Sequence, residues 1–149
     1  MTDTLDRPEA VPMSALEYGL ADPREVGALT GLELLQAFVG KRLPAPPIAG
    51  TMHQWISEVE EGSITFLGDP DPRYLNPMGL IHGGWTMALI DSSLGCAVQT
   101  TLARGESFVS LGTEVKFIRP VLVDTGQVRC RAEVQSRGKA HRHRTGLRP

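Results

Sequence analysis

The chain has 149 residues and a mass of 16.2 kDa, the size of one compact domain. Hydrophobic residues at 41% and charged residues at 21% support a packed core and exclude wholesale disorder. The formal net charge of −2 hides an asymmetry: residues 1–75 hold 12 acids and 5 bases, residues 76–149 hold 5 acids and 10 bases.

Those numbers narrow the function classes. No apolar run approaches the ~20 residues that span a bilayer, so no membrane partner is expected. The opening stretch MTDTLDRPEAVPMSALEYGL is acidic and lacks the apolar segment of a secretory signal. Two cysteines, Cys96 and Cys130, make neither a disulfide framework nor a metal knuckle, and a cytoplasmic location is expected. No metal and no cofactor are expected, and no GxGxxG or GxxxxGK[ST] phosphate loop occurs. The acidic main body and the absence of any readout motif argue against a nucleic-acid partner.

In chain order, residues 1–28 read as a loosely packed extension, with Asp22-Pro23 and Gly27 interrupting periodicity. Leu32, Leu35, Phe38 and Val39 then recur at helical spacing and predict a short amphipathic helix ending near Gly40. Pro44, Pro46 and Pro47 read as a stiff connector that forbids further helix. Met52, Trp55 and Val59 predict a strand with a bulge, Ser63–Leu67 a second strand, and Glu61-Gly62 the hairpin turn between them. The segment GDPDPRYLNPMG is loop. A long, proline-free helix follows from Gly84 to about Ala103, apolar on more than one face and therefore buried, with Gly105 as its stop. Phe108–Ile118 predicts a strand. Gln127–Gln135 predicts another, with Val128, Cys130, Ala132 and Val134 on one face. The last twelve residues, 138–149, hold four bases and no acid and read as a solvated tail.

The informative stretch is Asn76-Pro-Met-Gly79-Leu-Ile-His82-Gly83-Gly84, with Asp91 beyond it. His82-Gly83-Gly84 stands where a loop enters the long helix. Free backbone N–H groups gather at a helix N-terminus, and its dipole favours negative charge. Glycine lets a substrate oxygen approach that backbone. These are the parts of an oxyanion hole. Asn76 and His82 are placed to orient the loop or to donate to the same oxygen. Asp91 is an acid in an otherwise apolar helix, where a carboxylate is costly unless used or paired.

The pattern N-x-x-G-x-x-H-G-G, the acid eight residues after the first paired glycine, and the later Phe117-Ile-Arg119-Pro120 resemble the PaaI-like hotdog-fold acyl-CoA thioesterases. The resemblance covers roughly residues 50–137. It implies an α+β hotdog fold: an antiparallel sheet wrapped around one long central helix, active as a homodimer or homotetramer. The expected organisation is an N-terminal extension at 1–28, a hotdog thioesterase domain at 29–137 and an atypical basic tail at 138–149. The resemblance also implies two strands after residues 127–135, which would take roughly 20–25 residues. The twelve residues from 138 lack strand alternation, so C-terminal strands that are missing or replaced are expected, with an altered reading frame near codon 138–139 as one source.

By the same resemblance, the Gly83 N–H polarises a thioester carbonyl and Asp91 acts as nucleophile or as the base that activates water. Asn76 and His82 hold the loop and assist the carbonyl or the leaving sulfur. Ser110 helps place the water or the acid. Arg104, Lys116 and Arg119 are candidates for the phosphates of CoA.

One step is geometric. If residues 83–91 lie on one helix, Gly83 and Asp91 are ~12 Å apart along its axis. One carbonyl carbon does not reach both within a chain, so the glycine of one subunit is expected to face the acid of its mate across a two-fold axis. The expected activity is hydrolysis of an acyl-CoA, aryl or medium-chain, to free acid and CoA. A protein that binds acyl-CoA without hydrolysing it, or an impaired truncated product, is the alternative. A hotdog hydratase is a third reading, for which no second motif is visible.

Overall fold

Trp85, Leu89, Ser93 and Ala97 stand four residues apart, so a helix brings them to one face, and all four are buried. In the computed structural model, which describes residues 16–138, that helix is α4 (Gly83–Gln99). Five labelled elements precede it. They are helices α1 (Pro23–Gly27), α2 (Gly31–Val39) and α3 (Pro47–Met52), and the hairpin β1 (Gln54–Glu60) and β2 (Ser63–Gly68). Strand β3 (Val128–Glu133) completes an antiparallel sheet of order β1-β2-β3.

The hairpin forms as its sequence predicts. Gly62 takes φ +77° at the turn, which costs glycine nothing, and the register shifts between Ile56 and Glu58, where a bulge is expected. Ile64 and Phe66 of β2 and Ala132 of β3 pack with Trp85 and Leu89 of α4, and Leu35 of α2 joins them. Val128, Cys130 and Val134 lie against this core, on the face that their alternation marks. A three-stranded antiparallel sheet against one long central helix is the α+β hotdog arrangement that the sequence implies.

Several boundaries differ, each for a local reason. Asp22-Pro23 starts a helix instead of interrupting one: the Asp22 carboxylate accepts the Arg24 N–H at 2.8 Å and Pro23 occupies the first turn. Likewise Pro47 opens α3, because proline forbids the helix interior and suits its first turn. Helix α4 ends at Gln99, short of Ala103. The Thr100 and Thr101 hydroxyls donate back to the carbonyls of Ala97 and Val98, and the Thr100 hydroxyl also accepts the Gly62 N–H. The helix is not buried all round either: Met87, Leu94 and Val98 are exposed on the single chain.

The largest difference is at Phe108–Ile118, which forms no strand. Alternation marks a segment that can pair, but pairing needs a neighbouring backbone, and among the described residues none pairs with it. The segment instead runs antiparallel along α4. Phe108 covers Gly95, Ser110 bonds Asp91 and Phe117 covers Gly83. A Cβ at Gly95 would lie 2.9 Å from the Phe108 ring, so a larger residue there would push that ring aside. The expected extension at 1–28 is described only from residue 16, and the basic tail at 138–149 only at Gly138.

Candidate active site

The loop leading into α4 is organised by its own side chains. The Asn76 side-chain oxygen accepts the N–H groups of Met78 at 2.9 Å and Leu80 at 3.1 Å, while the Asn76 N–H donates to the Leu80 carbonyl. Asn76 therefore shapes the loop through its oxygen. His82 is the N-cap of α4. Its Nδ1 accepts the Gly84 N–H at 2.9 Å, and its own N–H donates to the Tyr74 carbonyl at 2.7 Å. An accepting Nδ1 puts the proton of the neutral ring on Nε2, which leaves an N–H donor at the head of the helix.

Gly83 is the first residue of α4, and its N–H donates to no acceptor among the described residues. It borders a cavity of about 310 Å³, shared with Asn76, Thr86, Phe117 and Arg119. A Cβ at Gly83 would stand 3.3 Å from the Phe117 ring, and one at Gly84 would stand 2.9 Å from His82 Nδ1. A free backbone donor and the positive end of a helix dipole thus meet at one opening, with His82 next to Gly83 in the chain but outside the cavity lining.

Asp91 lies two turns further along α4. It is exposed on the single chain, and its Oδ1 accepts the Ser110 hydroxyl at 3.1 Å. The acid is thus paired and wet within one chain, where the apolar helix sequence suggests a buried one. Asn76, His82 and Gly83 come together at one end of α4, and Asp91 and Ser110 come together as a separate pair. Eight residues of continuous helix put ~12 Å of axis between the groups. Of the three bases proposed for phosphates, Arg119 borders the Gly83 cavity; Arg104 and Lys116 do not.

Several residues that hold the site carry no motif. The Tyr74 hydroxyl donates to the Thr51 carbonyl at 2.7 Å, its ring stacks on Trp85 at 5.9 Å, and Trp85 Nε1 donates to the Met52 carbonyl at 2.8 Å. Arg73 donates to Asp71 and to His53 Nε2, which lies 2.6 Å from the guanidinium; the Arg73 bonds hold the Asp71 carboxyl below its ordinary range. The loop before His82 is thereby tied to α3 and to His53, which caps it. Its sequence signal is only loop composition, since each partner is distant in the chain. Among the described residues no group of three or more His, Cys, Asp or Glu could hold a metal ion, and no helix is long and apolar enough to cross a membrane.

Comparison with known proteins shows the family and the fold. The thioesterase superfamily matches residues 78–141. A phenylacetic acid degradation-related protein from Ralstonia eutropha JMP134 is 30% identical, over 70% of this chain and 80% of that one, with a TM-score of 0.64. A thioesterase from Haemophilus influenzae is 27% identical, over 72% of this chain and 71% of that one, with a TM-score of 0.58. The PaaI protein of the E. coli phenylacetic acid degradation operon shares the fold at 24% identity, over 62% of this chain and 64% of that one, with a TM-score of 0.55. No curated protein matches. The chain belongs to the thioesterase superfamily and has its hotdog fold.

Proposed function

We propose that the protein is a cytoplasmic acyl-CoA thioesterase whose active site is shared between two subunits. The single observation that carries this reading is the Gly83 N–H, without an acceptor among the described residues, at the head of the helix that also bears Asp91. The thioester oxygen accepts from Gly83 N–H, assisted by His82 Nε2–H, and Asp91 of the facing subunit attacks the carbonyl carbon or deprotonates the water that does. On the first route the CoA thiolate leaves behind an acyl anhydride of Asp91, which water then hydrolyses; on the second the water's oxygen bonds to the carbon as its proton passes to Asp91. Either way a C–O bond forms, the C–S bond breaks, the free acid is released and the CoA thiolate takes up a proton. Ser110 holds the Asp91 carboxylate, and Asn76 holds the loop. Oxyanion donors of this kind supply about 3–4 kcal/mol each at the transition state. Arg119, on the rim of the same cavity, suits a phosphate of CoA. The exposed Met87, Leu94 and Val98 on α4 and the unpaired apolar segment at 108–118 supply a face for the second subunit, as dimer or tetramer.

Thiol release from a panel of acyl-CoA thioesters tests this reading. Asp91→Asn keeps the side chain's size and removes its charge, so turnover should fall by 10³-fold or more with an unchanged circular dichroism spectrum. Full turnover in that variant would remove Asp91 from the mechanism, and a wild-type chain that binds acyl-CoA without releasing thiol would leave a binding protein.

A further inference from the structure

A second cavity, of about 420 Å³, lies between α2, α3, the β1–β2 hairpin and α4, away from the Gly83 opening. Leu35 and Phe38 of α2, Ile48 and Ala49 of α3, and Ile56 and Phe66 of the hairpin give it apolar walls. Its polar side chains include Lys41, Gln54, Ser57 and Ser92. Gln54 Nε2 donates to the Trp85 carbonyl at 2.9 Å, and the Ser57 hydroxyl donates to the Thr65 carbonyl at 3.2 Å. Helix α4 contributes Ser92 and Cys96 to the wall, and Ser92 is the residue after Asp91.

We infer that this cavity receives the acyl chain of the substrate, and that the chain is an unbranched aliphatic one of medium length. The inference rests on the thioesterase reading for where the chain comes from. The chemistry of the walls decides the class. Most of the wall is hydrocarbon, which suits an aliphatic chain. A bare phenyl ring fits an apolar cavity of about 150 Å³, so it would leave most of this one empty, whereas a flexible chain of about eight to twelve carbons can follow its length. Proximity supports the connection to Asp91. Burial, with a smaller contribution from the charge of Asp91, pushes the Cys96 thiol up to about 11. Ser92, the next residue of α4, lines the cavity, so a thioester carbon held beside Asp91 stands one residue along the helix from that wall.

Calorimetric titration of the full chain with decanoate and with phenylacetate tests the inference, alongside thiol release from decanoyl-CoA and phenylacetyl-CoA. Decanoate should bind at least about 10-fold more tightly than phenylacetate, and kcat/KM should favour decanoyl-CoA by a similar factor. Ala49→Phe fills the cavity and should weaken decanoate binding about 10-fold or more with the fold retained. Should that variant fail to fold, Ile48→Glu, at a position 57% exposed, puts a charge on the wall and should do the same. Equal affinities for the two acids, or a folded Ala49→Phe that binds decanoate like the wild type, would overturn the inference and leave the cavity to the chain's own residues or to another partner. Decanoate binding without hydrolysis of any thioester would keep the cavity and defeat the thioesterase reading; hydrolysis without chain-length preference would do the reverse.

Discussion

At the scale of single residues, the account depends on one hydrogen. Gly83 is the first residue of α4, where proline is well tolerated because its missing N–H has no intrahelical role. His82 before it has φ −59° and ψ 133°, the extended backbone that a following proline prefers. Gly83→Pro therefore deletes the proposed oxyanion donor while keeping the helix start. The expected loss in kcat is about 10²–10³-fold, read by thiol release. Gly83→Ala keeps the N–H, and its Cβ meets a Phe117 ring that is 56% exposed and free to move by a few tenths of an ångström, so it should retain most activity. Equal losses in the two variants would mean that the glycine matters for space and not for its donor.

At the scale of elements, the site is a loop held onto the end of a helix. Removing the Asn76 side chain strands the N–H groups of Met78 and Leu80. Asn76→Ala should cost about 1–2 kcal/mol of stability in chemical denaturation and about 10²-fold in kcat/KM, because Gly83 and His82 are then no longer held in place. An unchanged kcat/KM would show that the loop keeps its shape without those two bonds.

Much of this scale was legible in the sequence. The alternation of residues 127–135, the Glu61-Gly62 turn and the pattern from Asn76 to Gly84 depend on near neighbours, and the structure places them as read. Features that depend on distant partners were not legible. The early stop of α4 needs Thr100 to accept from Gly62, and the anchoring of Tyr74 needs Thr51 and Trp85. The absent strand at 108–118 is of the same kind, since alternation says which face is apolar and nothing about which backbone lies alongside. The exposure of Asp91 also escaped, because an apolar helix sequence does not say whether a face is covered by the chain itself or left open.

At the scale of the whole molecule, the two halves of the chemistry stand at different points along one helix. A pair of antiparallel helices related by a two-fold axis would set each Gly83 opposite the other subunit's Asp91, making two equivalent sites. Subunit complementation tests that directly. Gly83→Pro and Asp91→Asn chains, each inactive alone, are mixed under conditions in which subunits exchange. In every mixed pair one site then has an intact Gly83 and an intact Asp91, and the other has neither. The account predicts recovery of about a quarter of wild-type thiol release at equal mixing, since half the pairs are mixed and each holds one working site. Mixed pairs that form, as native mass spectrometry reads them, yet release no thiol would contradict a site shared between subunits.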